Sequence, residues 1–106
     1  MGKDLNNIMN IKVSIIMPVW KEAKYIKKSI DSVISQTFSE WELIIIDDGL
    51  YDNAKNEITK YIQKDKRIIL LKNEKNLGIQ KTLNRGYYLK NTVRYTNIIE
   101  TRICYT

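Results

Sequence analysis

The 106-residue sequence has no histidine, one cysteine (Cys104), one proline (Pro18) and four glycines. Without histidine, and with a single thiol, no ordinary zinc ligand set can be assembled. One cysteine forms no internal disulfide, which fits a reducing cytoplasm. The glycines, at positions 2, 49, 78 and 86, never give G-x-G-x-x-G, and no Walker lysine motif is present; this argues against the dinucleotide-binding and P-loop classes. No apolar run approaches the ~20 residues of a membrane helix. Met1 to Asn7 lack the apolar core of a signal peptide. Internal repeats and low-complexity linkers are also missing.

What is present is a soluble globular composition, 43% hydrophobic and 28% charged, at a length that suits one compact domain. The net charge of +6 is uneven. Residues 1–50 hold six basic and seven acidic side chains, and residues 51–106 hold twelve and five. A basic half can attract nucleic acid, acidic lipid or phosphate ligands. Here the cations alternate with Asp52, Glu57, Asp65 and Glu74, so no stripe forms and nucleic acid is not the expected partner.

The periodicity changes along the chain. Residues 1–11 are polar and read as a flexible N-terminus. Val13 to Met17 is a short apolar strand, which Pro18 is expected to end because proline cannot donate to a ladder. Ile26, Ile30, Val33 and Ile34 recur at helical spacing between Ala23 and Ser35. Trp41 to Asp47 reads as a strand buried on both faces, as in the middle of a parallel sheet. Asp52 is a candidate N-cap for a second helix ending at Lys64. Arg67 to Lys72 is a third strand, and Ile79, Leu83, Gly86 and Tyr87 mark a third helix to about Lys90. Tyr95 to Ile99 suits a fourth strand. The order β-α-β-α-β-α requires right-handed crossovers and a parallel sheet. The fold class is therefore α/β, a Rossmann-like three-layer α/β/α arrangement. Residues 12–90 form the domain and residues 91–106 an atypical tail.

Such a sheet gathers three loops at one rim: Pro18 to Glu22, Asp47-Asp48-Gly49, and Asn76-Leu77-Gly78. Two adjacent carboxylates repel each other, so the pair is expected to face water, a cation or a polar ligand. Trp20 offers an aromatic face for a base, the carboxylates accept from base or ribose donors, and Lys81 and Arg85 add positive charge. The chemistry is that of a nucleotide pocket.

The same residues resemble a known family. Val13 to Glu22 (V-S-I-I-M-P-V-W-K-E) is similar to the opening V-S-I-I-M-P-V-Y-N-E of the family-2 inverting glycosyltransferases. The resemblance continues through Ser32 to Phe38, Trp41 to Gly49, Asn73 to Gly78 and Asn84-Arg85-Gly86. It implies the nucleotide-binding N-terminal half of a GT-A fold. The implied nucleotide-binding residues are Pro18, Val19, Trp20, Glu22, Asp47, Asp48, Gly78 and Lys81. Trp20 would stack on the base and Asp48 would hydrogen-bond it. Pro18 and Val19 would line it through backbone, Glu22 would lie near the ribose, and the loop from Asn76 to Lys81 would flank the nucleotide. The implied donor is a nucleotide-diphospho-sugar, UDP-type first, with hexosyl transfer to a glycan or other acceptor in cell-surface polysaccharide synthesis, in the cytoplasm or at the inner face of the membrane.

The chain departs from the family at Lys21, usually Asn, and at Leu50-Tyr51, usually Ser-Thr. The family's later D-x-D cluster, which holds Mn²⁺ or Mg²⁺, has no counterpart between Lys90 and Thr106. No catalytic residue, metal ligand or cofactor is therefore expected in this chain, and it is expected to be inactive alone. An exposed sheet edge or apolar face would favour a homodimer. Two other classes compete. A phosphoacceptor receiver domain carries its acid pair after the first strand and a lone Asp after the third, whereas this chain has Pro18-Val19-Trp20 and Lys72-Asn73 there. A basic nucleic-acid or partner-binding module would need the clustering that this charge pattern lacks.

Overall fold

The structure, a computed structural model, describes residues 13–91 and 97–100. The segment expected to be flexible, residues 1–11, and the end of the tail, residues 101–106 with Cys104, lie outside the described residues. Runs of branched aliphatics form β1 (Val13–Lys21), β2 (Trp41–Leu50) and β3 (Ile68–Lys72), and β4 (Asn97–Glu100) completes the sheet. Between them lie α1 (Ile26–Ile34), α2 (Asp52–Lys64) and α3 (Ile79–Asn91). Every pairing is parallel, in the order β3-β2-β1-β4. The chain thus builds outward from β1 to β3, then crosses to the other side of β1.

Alternation along the strands sorts the core into two layers. Ile15, Met17 and Val19 of β1 and Leu43 and Ile45 of β2 pack with Ile26, Ile30 and Val33 of α1 and Ala54 and Ile58 of α2. Ile16, Ile44 and Ile46 face the other way, onto Leu83. Each buried aliphatic contributes roughly 1.5–3 kcal/mol, so the two central strands carry much of the stability. Helix α3 comes close to β1 at Gly86, where a Cβ would meet Ile16 Cγ2 at 2.7 Å. Only a glycine fits there without a shift of the buried Ile16 side chain.

Several boundaries differ from the sequence expectation, each for a local reason. Pro18 does not end β1, which continues to Lys21. Within β1 it pairs with Ile46 of β2, and among the described residues the pairing with β4 extends to Ile16. Helix α1 starts at Ile26 rather than Ala23, because Ala23 has φ +43° and closes a turn by donating its N–H to the Trp20 carbonyl at 3.1 Å. The N-cap of α2 is Tyr51 in extended geometry, and its side chain makes no capping bond. Asp52 is instead a first-turn acid, favoured by the helix dipole. Strand β2 runs past Asp47 to Leu50; the fourth strand, expected over Tyr95 to Ile99, is described at Asn97–Glu100, and Tyr95 and Thr96 lie outside the described residues.

Candidate functional site

The carboxyl ends of β1, β2 and β3 form one rim. Beyond Val19↔Asp47 the β1–β2 register shifts, and the next pair is Lys21↔Leu50. The extra residue lies on β2, at the turn where Gly49 takes φ +119°. This bulge re-aims the strand end, as bulges beside functional sites do. It is braced by Asp47, whose Oδ1 accepts the Gly49 and Leu50 amides, both at 2.8 Å. Lys55 Nζ of α2 lies 3.9 Å from Asp47 Oδ2.

Asp48 points to the opposite face of the sheet, toward the loop that follows β3. Its Oδ1 accepts Leu77 N–H at 2.7 Å and the Asn73 amide at 2.8 Å, and its Oδ2 accepts Gly78 N–H at 2.9 Å. Asn76 Nδ2 donates to the Asp48 carbonyl at 2.8 Å. Helix α3 begins at the next residue, Ile79. Asp48 therefore caps from a neighbouring strand the amides leading into α3, and its charge lies at the favourable end of that helix. Asn73 links the clamp to α3: Nδ2 also donates to Thr82 Oγ1 at 3.0 Å, and Oδ1 accepts from Arg85. Arg85 Nη1 further donates to the Lys72 carbonyl at 3.1 Å.

The expectation that the two acids together face water, a cation or a polar ligand is corrected by this geometry, in which only Asp47 meets a cation, the protein's own Lys55. Asp47 is 2% and Asp48 1% exposed. Strand alternation sends them to opposite faces, so they do not share a site, and backbone amides take up their charge. Arg85, expected to lend charge to a ligand, anchors the loop.

Trp20 reaches the rim from the end of β1 and is half-buried. A Cβ on Gly49 would lie 3.5 Å from Trp20 Cδ1 and 3.6 Å from Asn76 Nδ2. Trp20, Gly49 and Asn76 are thus gathered from three successive strand ends. Lys21 Nζ lies 4.3 Å from the centre of the Trp20 ring, a cation–π contact. Lys21 also has φ +54°, a left-handed conformation that costs a non-glycine residue about 1 kcal/mol.

The remaining candidates divide. The Val19 side chain is fully buried in the core, and Pro18 is buried beside β2, so both present only backbone to the rim. Glu22 and Lys81 are exposed. Gly78 has φ +85° and is part of the clamp. Sequence reasoning missed Asn73 and Thr82 as the clamp's inner partners, and no spacing signal marks them. A metal does not fit the rim. The carboxylates at its root are engaged by amides, and no group of three acid, histidine or cysteine side chains among the described residues could hold an ion.

Comparisons with known proteins follow this geometry. The family described as Glycosyl transferase family 2 matches residues 14–89. An uncharacterized glycosyltransferase of Methanocaldococcus jannaschii is 44% identical over 76 residues, 70% of this chain and 26% of that protein. Glycosyltransferase GlyA of Streptococcus pneumoniae is 34% identical over 80 residues, 74% of this chain and 11% of that protein. The chain thus spans about a quarter or less of these relatives. Among solved structures, S. aureus TarS 1-349 superposes with a TM-score of 0.70 at 25% identity, over 89% of this chain and 28% of that one. A mannosyltransferase from Pyrobaculum calidifontis, in complex with GDP-Man and Mn²⁺, gives a TM-score of 0.65 at 18% identity, over 74% of this chain and 24% of that one. The second likeness speaks to the fold alone. With the family matched over most of the domain and the same parallel sheet in its structural neighbours, this chain belongs to glycosyl transferase family 2.

Proposed function

We propose that the rim binds the nucleoside diphosphate of a sugar donor, and that the chain is the donor-recognition part of a glycosyltransferase. The observation that carries this is the convergence of Trp20, Gly49 and Asn76 at the carboxyl ends of parallel strands. The rim includes the end of β1, where the strand order reverses, and open α/β sheets bind ligands at such switch points. Trp20 stacks on the base. The base sits against the backbone at Gly49, where no side chain intrudes, and Pro18 and Val19 line it through main chain. Asp48 acts from behind the rim, holding the Asn76–Gly78 loop in place through the Leu77 and Gly78 amides. Asp47 acts behind the rim by fixing the bulge. Glu22 faces the ribose side, and Gly78 and Lys81 flank the phosphates.

The donor is of the nucleotide-diphospho-sugar class, with UDP and GDP as the bases to compare, and the acceptor is a glycan. Sugar transfer would further require acids for a divalent cation, and the described residues hold no group of three such side chains. Among the described residues no helix is long and apolar enough to cross a membrane.

Ligand-observed NMR with UDP, GDP and CMP tests the reading. The expected result is saturable binding of at least one diphosphate, with affinity weaker than about 100 μM because the pocket is open. Trp20→Ala is expected to abolish it. Binding of no nucleotide, or binding indifferent to Trp20→Ala, would refute the assignment of the rim.

A further inference from the structure

We infer that Lys21 is the phosphate receptor of this rim and makes it favour nucleoside diphosphates over bare nucleosides; the inference rests on the nucleotide reading of the rim. The first observation is conformational. Residue 21 has φ +54°, and two neighbours fix it there: Lys21 is paired with Leu50, and its carbonyl accepts the Tyr51 amide at 2.9 Å. Glycine and asparagine suit that backbone best. Lysine gains nothing from it, so what lysine brings to position 21 is its ammonium group.

The second observation is where that ammonium lies. It is 4.3 Å from the centre of the Trp20 ring, a ring whose edge lies beside Gly49. The carboxylates at the root of the rim are engaged by the Gly49, Leu50, Leu77 and Gly78 amides, so they do not draw the ammonium inward. A base stacking on the ring face takes the place of the ammonium. The four-carbon stem then lets the charge swing onto the phosphates of the same nucleotide, where its three donors make charge-assisted hydrogen bonds. Ring and cation thus act in sequence on one ligand.

The test compares uridine with UDP, and guanosine with GDP, on the wild-type chain, Lys21→Asn and Lys21→Arg at low ionic strength. Asparagine suits the left-handed backbone, so Lys21→Asn is expected to melt at the same temperature or higher. It is also expected to lose roughly fivefold to tenfold in diphosphate affinity with nucleoside affinity unchanged or improved. Lys21→Arg is expected to keep the diphosphate preference, and added salt to erase it in the wild type. An equal diphosphate-to-nucleoside ratio in wild type and Lys21→Asn would overturn the assignment of Lys21 while leaving the rim intact. Failure of the wild type to bind any of the four ligands would overturn both readings.

Discussion

At the scale of single residues, the side chain with the most consequence is Asp48. It is 1% exposed, and its oxygens accept the Leu77 and Gly78 amides and the Asn73 side chain. Asp48→Asn would remove the charge and turn a donor toward donors. We expect a loss of about 2–3 kcal/mol in urea unfolding, with faster hydrogen exchange at Leu77 and Gly78 than elsewhere in the sheet. An unchanged midpoint with unchanged exchange would show that the clamp contributes nothing. The special character of Asp47-Asp48-Gly49 was legible in the sequence, because two acids at the end of an aliphatic strand have no packing explanation. Their orientation was not. It depends on strand alternation and on a register shift that places Gly49 at φ +119°. Asn73 could not be found at all, since an asparagine after a strand looks like any loop asparagine until Asp48, Thr82 and Arg85 surround it.

At the scale of elements, the three helices and three main strands were legible because each carries a strong period of its own. The ends were less so, because they depend on tertiary partners: Pro18 stays in β1 paired with Ile46 of β2, and Ala23 is held out of α1 by its positive φ. The turn from α2 into β3 shows what such junctions contribute. Arg67 grips Asp65 through Nε at 3.0 Å and Nη2 at 2.8 Å, donates to the Ser39 carbonyl at 3.1 Å, and lies 3.8 Å from the centre of the Trp41 ring. It ties the start of β3 to the start of β2. Its hydrogen bonds hold the Asp65 carboxyl below the usual range, outweighing the opposing effect of burial. A carboxyl depressed in the folded state stabilises the fold fully above its unfolded value of about 3.9, and that share is lost as pH falls through the folded value. We therefore expect Asp65→Asn to cost about 1 kcal/mol at neutral pH. The gap to wild type should close in denaturant titrations below about pH 4. A gap that stays constant down to pH 2 would assign the effect to packing. On the neighbouring helices, Tyr61 of α2 donates to Asp31 of α1, and burial together with that bond pushes its hydroxyl up to about 12.

At the scale of the molecule, among the described residues the sheet is bounded by β3 on one side and β4 on the other. Ile69 of β3 is 39% exposed on the face that α3 covers incompletely. An edge strand with an exposed aliphatic is a template for a second strand. We propose self-association of the isolated chain through such an edge. Light scattering over a concentration series should show a dimer or larger species, and a monodisperse monomer throughout would refute it. The two-layer core was legible from the aliphatic strands, whereas the order β3-β2-β1-β4 is seen only in the strand pairing.

That order also governs how the chain can assemble in time. No two neighbouring strands are joined by a hairpin: Val13 must find Trp41, Leu43 must find Ile68, and Val13 must later find Asn97. Each pairing closes a long loop before any ladder rewards it, so folding is governed by distant contacts and is slow relative to helical proteins of this size. During synthesis β2 follows β1 after one helix, whereas β4 follows only after two further helices and β3. Until then one flank of the apolar strand β1 lies open to any other strand in the cell.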